Sequence, residues 1–453
     1  MSRILQLWQP EDEGFWQSQG RRIARKNLWI SVPALLLAFA VWMVWSVIVV
    51  NLPKIGFSFT TDQLFWLTAL PGLSGATLRI FYSFMVPIFG GRRWTAVSTA
   101  SLLIPAIGIG FAVQDTATPY SLFVLLALLG GLGGGNFASS MANITYFFPK
   151  KEKGNALAIN AGLGNLGVST MQFLVPIVIT FSLFGSLAGA PQTAGDKTLW
   201  VQNAGFVWVP FIFASTMAAW FGMNDIADAK ASLSSQMAIF KRKHNWIMCF
   251  LYIGTFGSFI GFSAGLPLLA KTAFPTVNSL QYAFLGPLVG ALTRAGSGWI
   301  ADKFGGGRVT FWVFVVMIIG AAGVWYFLTI KDQPNAFYGF FAMFILLFAA
   351  TGVGNASTFQ MIPVIFWLER LRSMGGADEV VVRKAAEREA AATIGFSSAI
   401  GAYGAFFIPK SYGTAVALTG KVDAALLVFI AFYVLCLAVT WFFYTRKNAE
   451  IPC

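Results

Sequence analysis

Titratable and reactive side chains are scarce in this sequence. Only 11% of the 453 residues are charged, and the chain has one histidine and three cysteines. Cys249, Cys436 and Cys453 are far apart, so their spacing fits neither a metal site nor a redox pair. We interpret the single histidine, His244, as a surface residue of a linker. Because no nucleophile–base pair and no cofactor fingerprint occur either, the sequence argues against an enzyme and predicts no metal or cofactor.

The N-terminal segment lacks the features of a cleavable secretory signal. Residues 2–19 are polar and mixed in charge, and no short apolar core precedes the basic cluster that begins at Arg21. A signal peptide would need such an apolar core and a small-residue cleavage site. We therefore expect that this segment is not removed as a signal.

Long apolar stretches dominate the rest of the chain. Hydrophobic residues make up 57% of the sequence and its mean hydropathy is +0.69, which no soluble globular domain approaches. Stretches of about 20 apolar residues are long enough to cross a bilayer as helices. The sequence therefore predicts an all-α, polytopic membrane protein with twelve spans. The predicted spans are Leu28–Val50, Leu64–Phe89, Trp94–Val113, Tyr120–Phe148, Ala156–Leu187, Val201–Met223, Trp246–Ala270, Leu280–Ala301, Val309–Ile330, Ala336–Leu368, Ala391–Ser411 and Ala424–Tyr444.

Basic residues concentrate in alternate loops between these spans. The formal net charge is +13, which by itself is compatible with a nucleic-acid partner. Clustering in alternate loops instead follows the positive-inside rule, so we expect no nucleic-acid partner. This rule places both termini and the long loop 224–245 on the cytoplasmic side. The basic clusters lie near residues 21–26, 92–93, 150–153, 230–243, 303–308, 370–388 and 446–447.

An internal repeat divides the chain into two halves. Arg294 follows Arg79 by 215 residues, and the apolar and glycine positions around the two arginines match at the same offset. Gly133 and Asn136 likewise match Gly352 and Asn355, at an offset of 219. Two matched six-helix halves are typical of transporters built from repeats. The predicted domains are an N-terminal tail (1–26), a six-helix bundle (27–223), a linker (224–245), a second six-helix bundle (246–445) and a C-terminal tail (446–453).

The two matched arginines are the main candidates for a functional site. A charged arginine in a membrane helix costs roughly 2.5–3.5 kcal/mol on insertion scales, so it needs compensation. All 18 acidic residues fall in the predicted loops, tails or helix ends, with Asp302 the nearest to a span. An arginine without a carboxylate partner is a vacancy for an anion, and its planar fork suits oxyanions. Snorkelling, or hydrogen bonding to backbone carbonyls, is the alternative for each arginine.

Two further motifs suggest how the helices are held together. The run Gly298–Arg308 resembles the G-x-x-x-D-[RK]-x-G-x-x-[RK] signature of the major facilitator superfamily. In it we expect Asp302 and Arg308 to form a cytoplasmic latch, although a tight glycine turn is an alternative. The matching position in the first half is Pro87, so that latch is degenerate. The run Ala161–Gln172 combines close-packing glycines with an amide, Asn165, which is either a ligand donor or helix–helix glue.

The segments Ala161–Gln172, Gly352–Thr358, Leu70–Arg93 and Leu251–Gly265 together resemble the nitrate/nitrite porter family, in particular its enteric-bacterial type. The resemblance extends from Asn27 to about Tyr444. It implies transport of nitrate and nitrite by alternating access, in a monomer of the bacterial inner membrane. It further implies that two arginines clamp the anion from opposite halves while an amide, hydroxyls and rings complete the site. The implied substrate-binding residues are Arg79, Arg294, Asn165, Tyr252, Phe137, Phe256 and Ser398. The implied conformational glycines are Gly162, Gly164, Gly167, Gly352 and Gly354.

The lack of acidic residues and histidine in the spans bears on energetic coupling. Proton-driven transporters usually relay protons through a membrane Asp, Glu or His. Two positive charges make an empty carrier reluctant to reorient, and a bound anion lowers that cost. We therefore favour antiport, with nitrate imported and nitrite exported. Proton/nitrate symport, an anion channel and a membrane sensor are the alternatives.

Two expectations concern the surface of the protein. The third, sixth, ninth and twelfth spans contain no ionisable residue, so we expect them to be outer, lipid-facing helices. The segment Glu369–Glu389 alternates acidic and basic residues. It is predicted to form either a short surface helix or a solvated loop.

Overall fold

The computed structural model describes residues 3–227, 238–376 and 378–453, and most of them are helical. The middle of the predicted linker, residues 228–237, lies outside the described residues. The helices before it are α1 (Glu13–Phe15), α2 (Arg21–Met43), α3 (Trp45–Asn51), α4 (Thr61–Tyr82), α5 (Met85–Phe89), α6 (Gly91–Ala100), α7 (Leu103–Ala112), α8 (Tyr120–Phe147), α9 (Lys150–Val178), α10 (Asn203–Phe206) and α11 (Val209–Gly222).

The described helices after the linker are α12 (Lys243–Tyr252), α13 (Ser258–Ala273), α14 (Leu280–Ala283), α15 (Leu285–Gly296), α16 (Gly298–Phe304), α17 (Gly306–Thr329), α18 (Ala336–Ser373), α19 (Glu379–Ala402), α20 (Gly404–Thr419) and α21 (Asp423–Thr440). Short strands form two pairs, β1 (Ile4–Leu5) with β4 (Asp225–Ile226), and β2 (Gln192–Ala194) with β3 (Lys197–Leu199). Single π or 3-10 turns lie at Trp16–Gly20, Leu52–Ile55, Gly185–Ala188, Ala238–Lys241, Ile253–Gly257 and Trp441–Thr445, and loops connect the remaining elements.

Eleven of the twelve predicted spans correspond, in the described residues, to helical segments that are long and apolar enough to cross a membrane. The eighth, predicted as Leu280–Ala301, is instead divided into α14, α15 and α16. Its second interruption is Ser297, which lies between Gly296 and Gly298. Glycine is a poor helix former, so a G-S-G run is a point at which a helix can break. The fold is that of an all-α polytopic membrane protein.

The chain packs into two compact units. The first unit comprises Met1–Ala231, Ser263–Leu268 and Asn278–Phe284, and the second comprises Ser232–Phe262, Leu269–Val277 and Leu285–Cys453. Each unit has its own core of apolar and aromatic side chains. Phe39 and Phe65 are fully buried in the first unit, and Phe344 and Phe366 in the second.

Three of the four helices predicted to be outermost are the least buried spans. Only 39% of the residues are buried in the most apolar window of each of the sixth and ninth spans, and 28% in that of the twelfth. Large apolar side chains such as Trp312 and Trp441 remain exposed there, as expected of helices that face lipid. The third span is 56% buried, the same share as the fifth, so burial does not distinguish it as an outer helix.

The N-terminal segment packs onto the first unit, although its polar composition gave no indication of this. Trp16 is 2% exposed and its indole N–H donates to Glu152 at 3.0 Å. The indole N–H of Trp8 donates to the carbonyl of Tyr146 at 3.0 Å. Strand β1 pairs with β4, which belongs to the predicted linker. The two tryptophans supply the apolar surface that fixes an otherwise polar segment.

The interpretation of His244 as a surface residue is wrong. Its side chain is 3% exposed, and its Nδ1 shares a hydrogen bond of 2.9 Å with the hydroxyl of Tyr444. Glu450 lies 3.4 Å from its Nε2. Because the polar linker sequence ends at an aromatic cluster rather than in solvent, the histidine is enclosed. It is nevertheless far in sequence from the arginine motifs.

The C-terminal tail is also docked. Ile451 is 2% exposed, and the amide of Gly307 donates to the carbonyl of Cys453 at 3.0 Å. Glu450 accepts a hydrogen bond of 2.6 Å from Lys243. This hydrogen bond to Lys243 lowers the pKa of the Glu450 carboxyl from its usual value. The ionised carboxylate therefore helps to hold the tail in place at pH values above the pKa that Glu450 has in the unfolded chain. This contribution to stability is lost as the pH falls through the lowered pKa of the folded protein.

The segment Glu369–Glu389 was predicted to form either a short surface helix or a solvated loop. Neither prediction accounts for the burial of Glu389, the acidic residue at its end. Helix α18 continues to Ser373 and α19 begins at Glu379, so most of the segment belongs to the ends of two membrane-spanning helices. Glu389 is 1% exposed and accepts hydrogen bonds from Arg242 and Arg370. Two arginines offset the cost of burying this carboxylate. Glu389, rather than the exposed Asp302, is the most deeply buried acid of the described residues.

Candidate anion-binding site

Arg79 lies on α4 and is fully buried. Its Nε donates to the carbonyl of Gly134 on α8 at 3.0 Å. Its Cζ lies 4.7 Å from the ring centroid of Phe137 and 5.2 Å from that of Trp42. The bond to a carbonyl is the alternative that the sequence left open. That carbonyl is neutral, so it orients the guanidinium without cancelling its charge, while the rings stabilise the cation through their negative faces.

Glycines allow α4 and α8 to approach closely enough for this contact. A Cβ atom on Gly134 would lie 2.7 Å from the Cα of Gly75 and 2.7 Å from the Trp42 ring. A Cβ atom on Gly131 would lie 2.5 Å from the amide nitrogen of Gly75. Both distances are shorter than real Cβ contacts, so larger residues would separate the helices. The glycine run therefore places the carbonyl of Gly134 within reach of Arg79.

Arg294 lies on α15 in the second unit, in a similar aromatic setting. Its Cζ lies 5.3 Å from the ring centroid of Phe359 and 5.8 Å from that of Phe256. Its Nη2 donates a long hydrogen bond of 3.4 Å to the hydroxyl of Tyr252. Its Nη1 is buried and has no hydrogen-bond partner among the described residues. A buried cationic donor with a rigid geometry is what binds a small oxyanion.

The rings beside Arg294 form a stack. Tyr252 lies nearly parallel to Phe256, with centroids 5.3 Å apart, and to Phe359, with centroids 4.7 Å apart. Tyr252 ends α12 and is followed directly by the π turn Ile253–Gly257, a local distortion that is frequent at functional sites. The stack gives Arg294 flat, apolar walls. Flat, apolar walls of this kind are compatible with a planar ligand.

Two other predicted site residues have contrasting environments. Asn165 on α9 is fully buried, and neither atom of its amide has a hydrogen-bond partner among the described residues. An amide in that state suits a ligand donor better than a link between helices. Ser398 on α19 is 2% exposed, and its hydroxyl donates to the carbonyl of Gly395 in its own helix at 2.8 Å.

The first unit thus brings Arg79 and Phe137 together, and the second brings Arg294, Tyr252 and Phe256 together. Sequence reasoning missed Trp42 and Phe359 as ring neighbours of the arginines and Gly134 as the carbonyl partner of Arg79. Phe359 directly follows the quoted motif Gly352–Thr358. Trp42 lies three residues after Phe39, whose counterpart in the repeat is Phe256. Their proximity to these motifs was therefore a usable signal.

The predicted conformational glycines differ in how tightly they are packed. A Cβ atom on Gly164 would lie 2.6 Å from the Leu35 side chain, and one on Gly167 would lie 2.0 Å from the Leu36 carbonyl oxygen. Both glycines hold α9 against α2. A Cβ atom on Gly162 would meet no atom within 4 Å. In the second unit a Cβ atom on Gly352 would lie 2.4 Å from the Gly290 carbonyl oxygen, and one on Gly354 would lie 2.7 Å from Thr255.

We expect Gly167→Ala to destabilise the protein strongly and Gly162→Ala to leave it as stable as the wild type or slightly more stable. The new methyl group at position 167 would collide with backbone, which cannot rotate away, and overpacking of this kind costs roughly 1–3 kcal/mol. At position 162 the methyl group has room, and alanine favours a helix over glycine. Thermal unfolding of the two purified variants in detergent measures the difference. Equal melting temperatures would show that the contact between α2 and α9 is not as close as described.

The cytoplasmic latch predicted at Asp302 and Arg308 stays a prediction. Both residues are exposed, and neither forms an ion pair within the described parts of the chain. The first half, whose matching position is Pro87, has a buried ion pair instead. Asp225 accepts hydrogen bonds from the backbone N–H of Arg92 at 2.8 Å and from its Nε at 3.1 Å. A residue of the predicted linker therefore supplies the carboxylate that the motif lacks.

Comparisons with known proteins give a consistent result. The family model of the Major Facilitator Superfamily matches residues 34–377. The chain is 54% identical to the nitrate/nitrite transporter NarU of Salmonella typhimurium strain LT2, over 99% of this chain and 97% of that protein. It is 52% identical to NarU of Escherichia coli strain K12, over 98% of this chain and 97% of that protein.

A more distant relative and a solved structure extend the comparison. The chain is 43% identical to the probable nitrate/nitrite antiporter NarK2 of Thermus thermophilus, over 98% of this chain and 97% of that protein. Among solved structures, a point mutant of the nucleoside transporter NupG matches with a TM-score of 0.61 and 12% identity, over 91% of this chain and 98% of that chain. At that identity the likeness concerns the fold alone.

Proposed function

We infer that this chain, which belongs to the Major Facilitator Superfamily and within it to the family of the nitrate/nitrite transporters, carries nitrate and nitrite across a membrane. The identity of 54% and 52% to the two NarU transporters, over nearly the whole length of this chain, supports this function. The structural observation that best supports anion transport is the environment of Arg294. Its buried Nη1 has no partner among the described residues, and its guanidinium lies beside stacked rings.

We propose that both arginines bind the transported anion. Arg79 donates to the carbonyl of Gly134 and lies beside the rings of Phe137 and Trp42, and its guanidinium would attract an anion electrostatically. Asn165 adds an amide donor, and Tyr252 and Ser398 add hydroxyls. Phe137 and Phe256 provide flat surfaces for a planar ion. Nitrate and nitrite are small planar oxyanions, and their oxygens accept hydrogen bonds from such donors.

We further propose antiport, with nitrate imported and nitrite exported. The predicted spans carry Arg79 and Arg294 but no acidic residue, so an empty carrier would have to move net positive charge. A bound anion reduces that charge and lowers the barrier to reorientation. The glycine contacts at Gly164, Gly167, Gly352 and Gly354 give smooth helix surfaces along which alternating access can proceed.

We also propose the protein's setting. The alternate basic loops favour both termini on the cytoplasmic side of a bacterial inner membrane. We propose that it acts as a monomeric transporter, not as an enzyme, and without nucleic-acid partners. Its domains are then the two six-helix bundles 27–223 and 246–445, the linker between them, and two terminal tails that pack on the bundles.

Uptake of labelled nitrate into proteoliposomes tests the transported species. We expect saturable uptake that is inhibited by excess nitrite and unaffected by equal concentrations of chloride or sulfate. Sulfate is tetrahedral and doubly charged, and so matches a planar, singly charged substrate in neither shape nor charge. A steady ionic current that does not saturate would indicate a channel. An absence of nitrate uptake by folded protein would contradict the proposal.

A further inference from the structure

A second amide in the chain has the same unusual environment as Asn165. Asn355 lies on α18 and is 1% exposed. Neither its Nδ2 nor its Oδ1 has a hydrogen-bond partner among the described residues. Burying an amide without a partner is costly, so a buried amide usually binds protein, water or a ligand.

The neighbours of Asn355 on α18 show which way its side chain points. On one side, a Cβ atom on Gly354 would lie 2.7 Å from Thr255, one residue before Phe256. On the other side, a Cβ atom on Gly352 would lie 3.0 Å from the backbone nitrogen of Arg294. Successive helix residues are about 100° apart, so position 355 faces between these two directions. Its side chain therefore points into the wedge between Thr255 and the helix that carries Arg294.

One turn further along the same face lies Phe359, whose ring is 5.3 Å from the Cζ of Arg294. Arg294 also has a buried donor, Nη1, without a partner among the described residues. Two buried donors thus occur on adjoining helices of the second unit, beside the same aromatic stack. Water or a ligand with several acceptor atoms is needed to satisfy both.

We propose that Asn355 is a further anion-contacting residue, whose amide N–H donates to an oxygen of the nitrate or nitrite held by Arg294. This proposal rests on the proposed function and adds a specificity element to it. An amide contributes direction without charge, so it favours an anion with oxygens spread in one plane over a spherical halide. Asn355 is the repeat counterpart of Asn136, and it shares with Asn165 a buried amide that has no hydrogen-bond partner among the described residues.

The test is nitrate binding to Asn355→Leu, measured by calorimetry and by nitrate-dependent thermal stabilisation in detergent. Leucine has a similar volume and no polar atoms. We expect the dissociation constant for nitrate to rise about tenfold, as for the loss of one hydrogen bond to a charged group. The melting temperature without ligand should stay the same or rise, because an unpartnered amide is removed. Asn355→Ser, which keeps a donor, should lose less affinity.

Asn245→Leu is the matched control. Asn245 is fully buried and its amide also has no partner among the described residues, but it lies in the first turn of α12, two turns before Tyr252. Its replacement should not alter nitrate affinity. If the wild type binds nitrate and both Asn355→Leu and Asn355→Ser bind it with the same affinity as the wild type, the Asn355 amide does not contact the anion. The proposal is then wrong. If wild type itself does not bind nitrate, the proposed function fails instead.

Discussion

Arg294→Lys and Arg79→Lys are each expected to weaken nitrate binding by about 10- to 100-fold, since hydrogen bonds to a charged group contribute roughly 1.5–3 kcal/mol. Lysine keeps the positive charge but replaces a planar fork with a single ammonium. At Arg294 it also loses the broad contact with the rings of Phe256 and Phe359. At Arg79 it loses the Nε bond to Gly134, which orients the head group. Calorimetric titration with nitrate measures both effects.

The control for these variants is Arg308→Lys, an equally conservative change at an exposed arginine of the second unit. It should bind nitrate as the wild type does. Circular dichroism and the melting temperature show whether each variant is folded. Unchanged nitrate affinity in both Arg79→Lys and Arg294→Lys would mean that neither guanidinium contacts the anion.

Glu389→Gln is expected to be the most destabilising single change outside the anion site. Glu389 is 1% exposed, and its carboxylate accepts hydrogen bonds of 3.1 Å from Arg242 and 2.9 Å from Arg370. Removing its charge leaves two arginines facing each other. Breaking a buried ion pair costs about 3–5 kcal/mol, but the two arginines are 24% and 19% exposed, so we expect roughly 2–4 kcal/mol. Thermal and denaturant unfolding in detergent measure it.

The same helix provides a matched control for that change. Glu387 forms an ion pair of 3.6 Å with Arg383, and both side chains are largely solvent-accessible, at 44% and 69%. Exposed pairs of this kind contribute roughly 0–1 kcal/mol. Glu387→Gln should therefore unfold close to the wild type. A Glu389→Gln variant as stable as Glu387→Gln would show that the buried cluster does not stabilise α18, α19 and the linker end.

Hydrophobicity and charge placement were sufficient to predict the membrane fold, because both are summed over many residues. They could not predict the interruption at Ser297, which depends on a few local residues. They also could not predict that Trp8 and Trp16 would fix a polar N-terminal segment, since two apolar residues barely alter its average. His244 was interpreted as a surface residue of the linker for the same reason, but tertiary contacts bury it and also bury Asp225 of the same linker.

At the site, the repeat identified the arginines because a charge inside an apolar span stands out against its background. Aromatic neighbours do not stand out in the same way, because the chain has 45 phenylalanines and 16 tryptophans. Trp42 and Phe359 lie close in sequence to the motifs, but the packed helices were needed to identify them as neighbours of the arginines. The different roles of Gly162 and Gly167 likewise required knowledge of which face of α9 contacts α2. Whether both arginines bind one anion stays a prediction.

Counterflow in proteoliposomes tests the central proposal, obligatory exchange, most directly. Vesicles containing the purified protein are loaded with nitrite, chloride or buffer alone and diluted into labelled nitrate, with and without an imposed proton gradient. We predict rapid uptake only into nitrite-loaded vesicles, at a rate that the gradient does not change. Gradient-driven uptake into nitrite-free vesicles would contradict it, and would require a proton-coupled mechanism that does not depend on a returning anion.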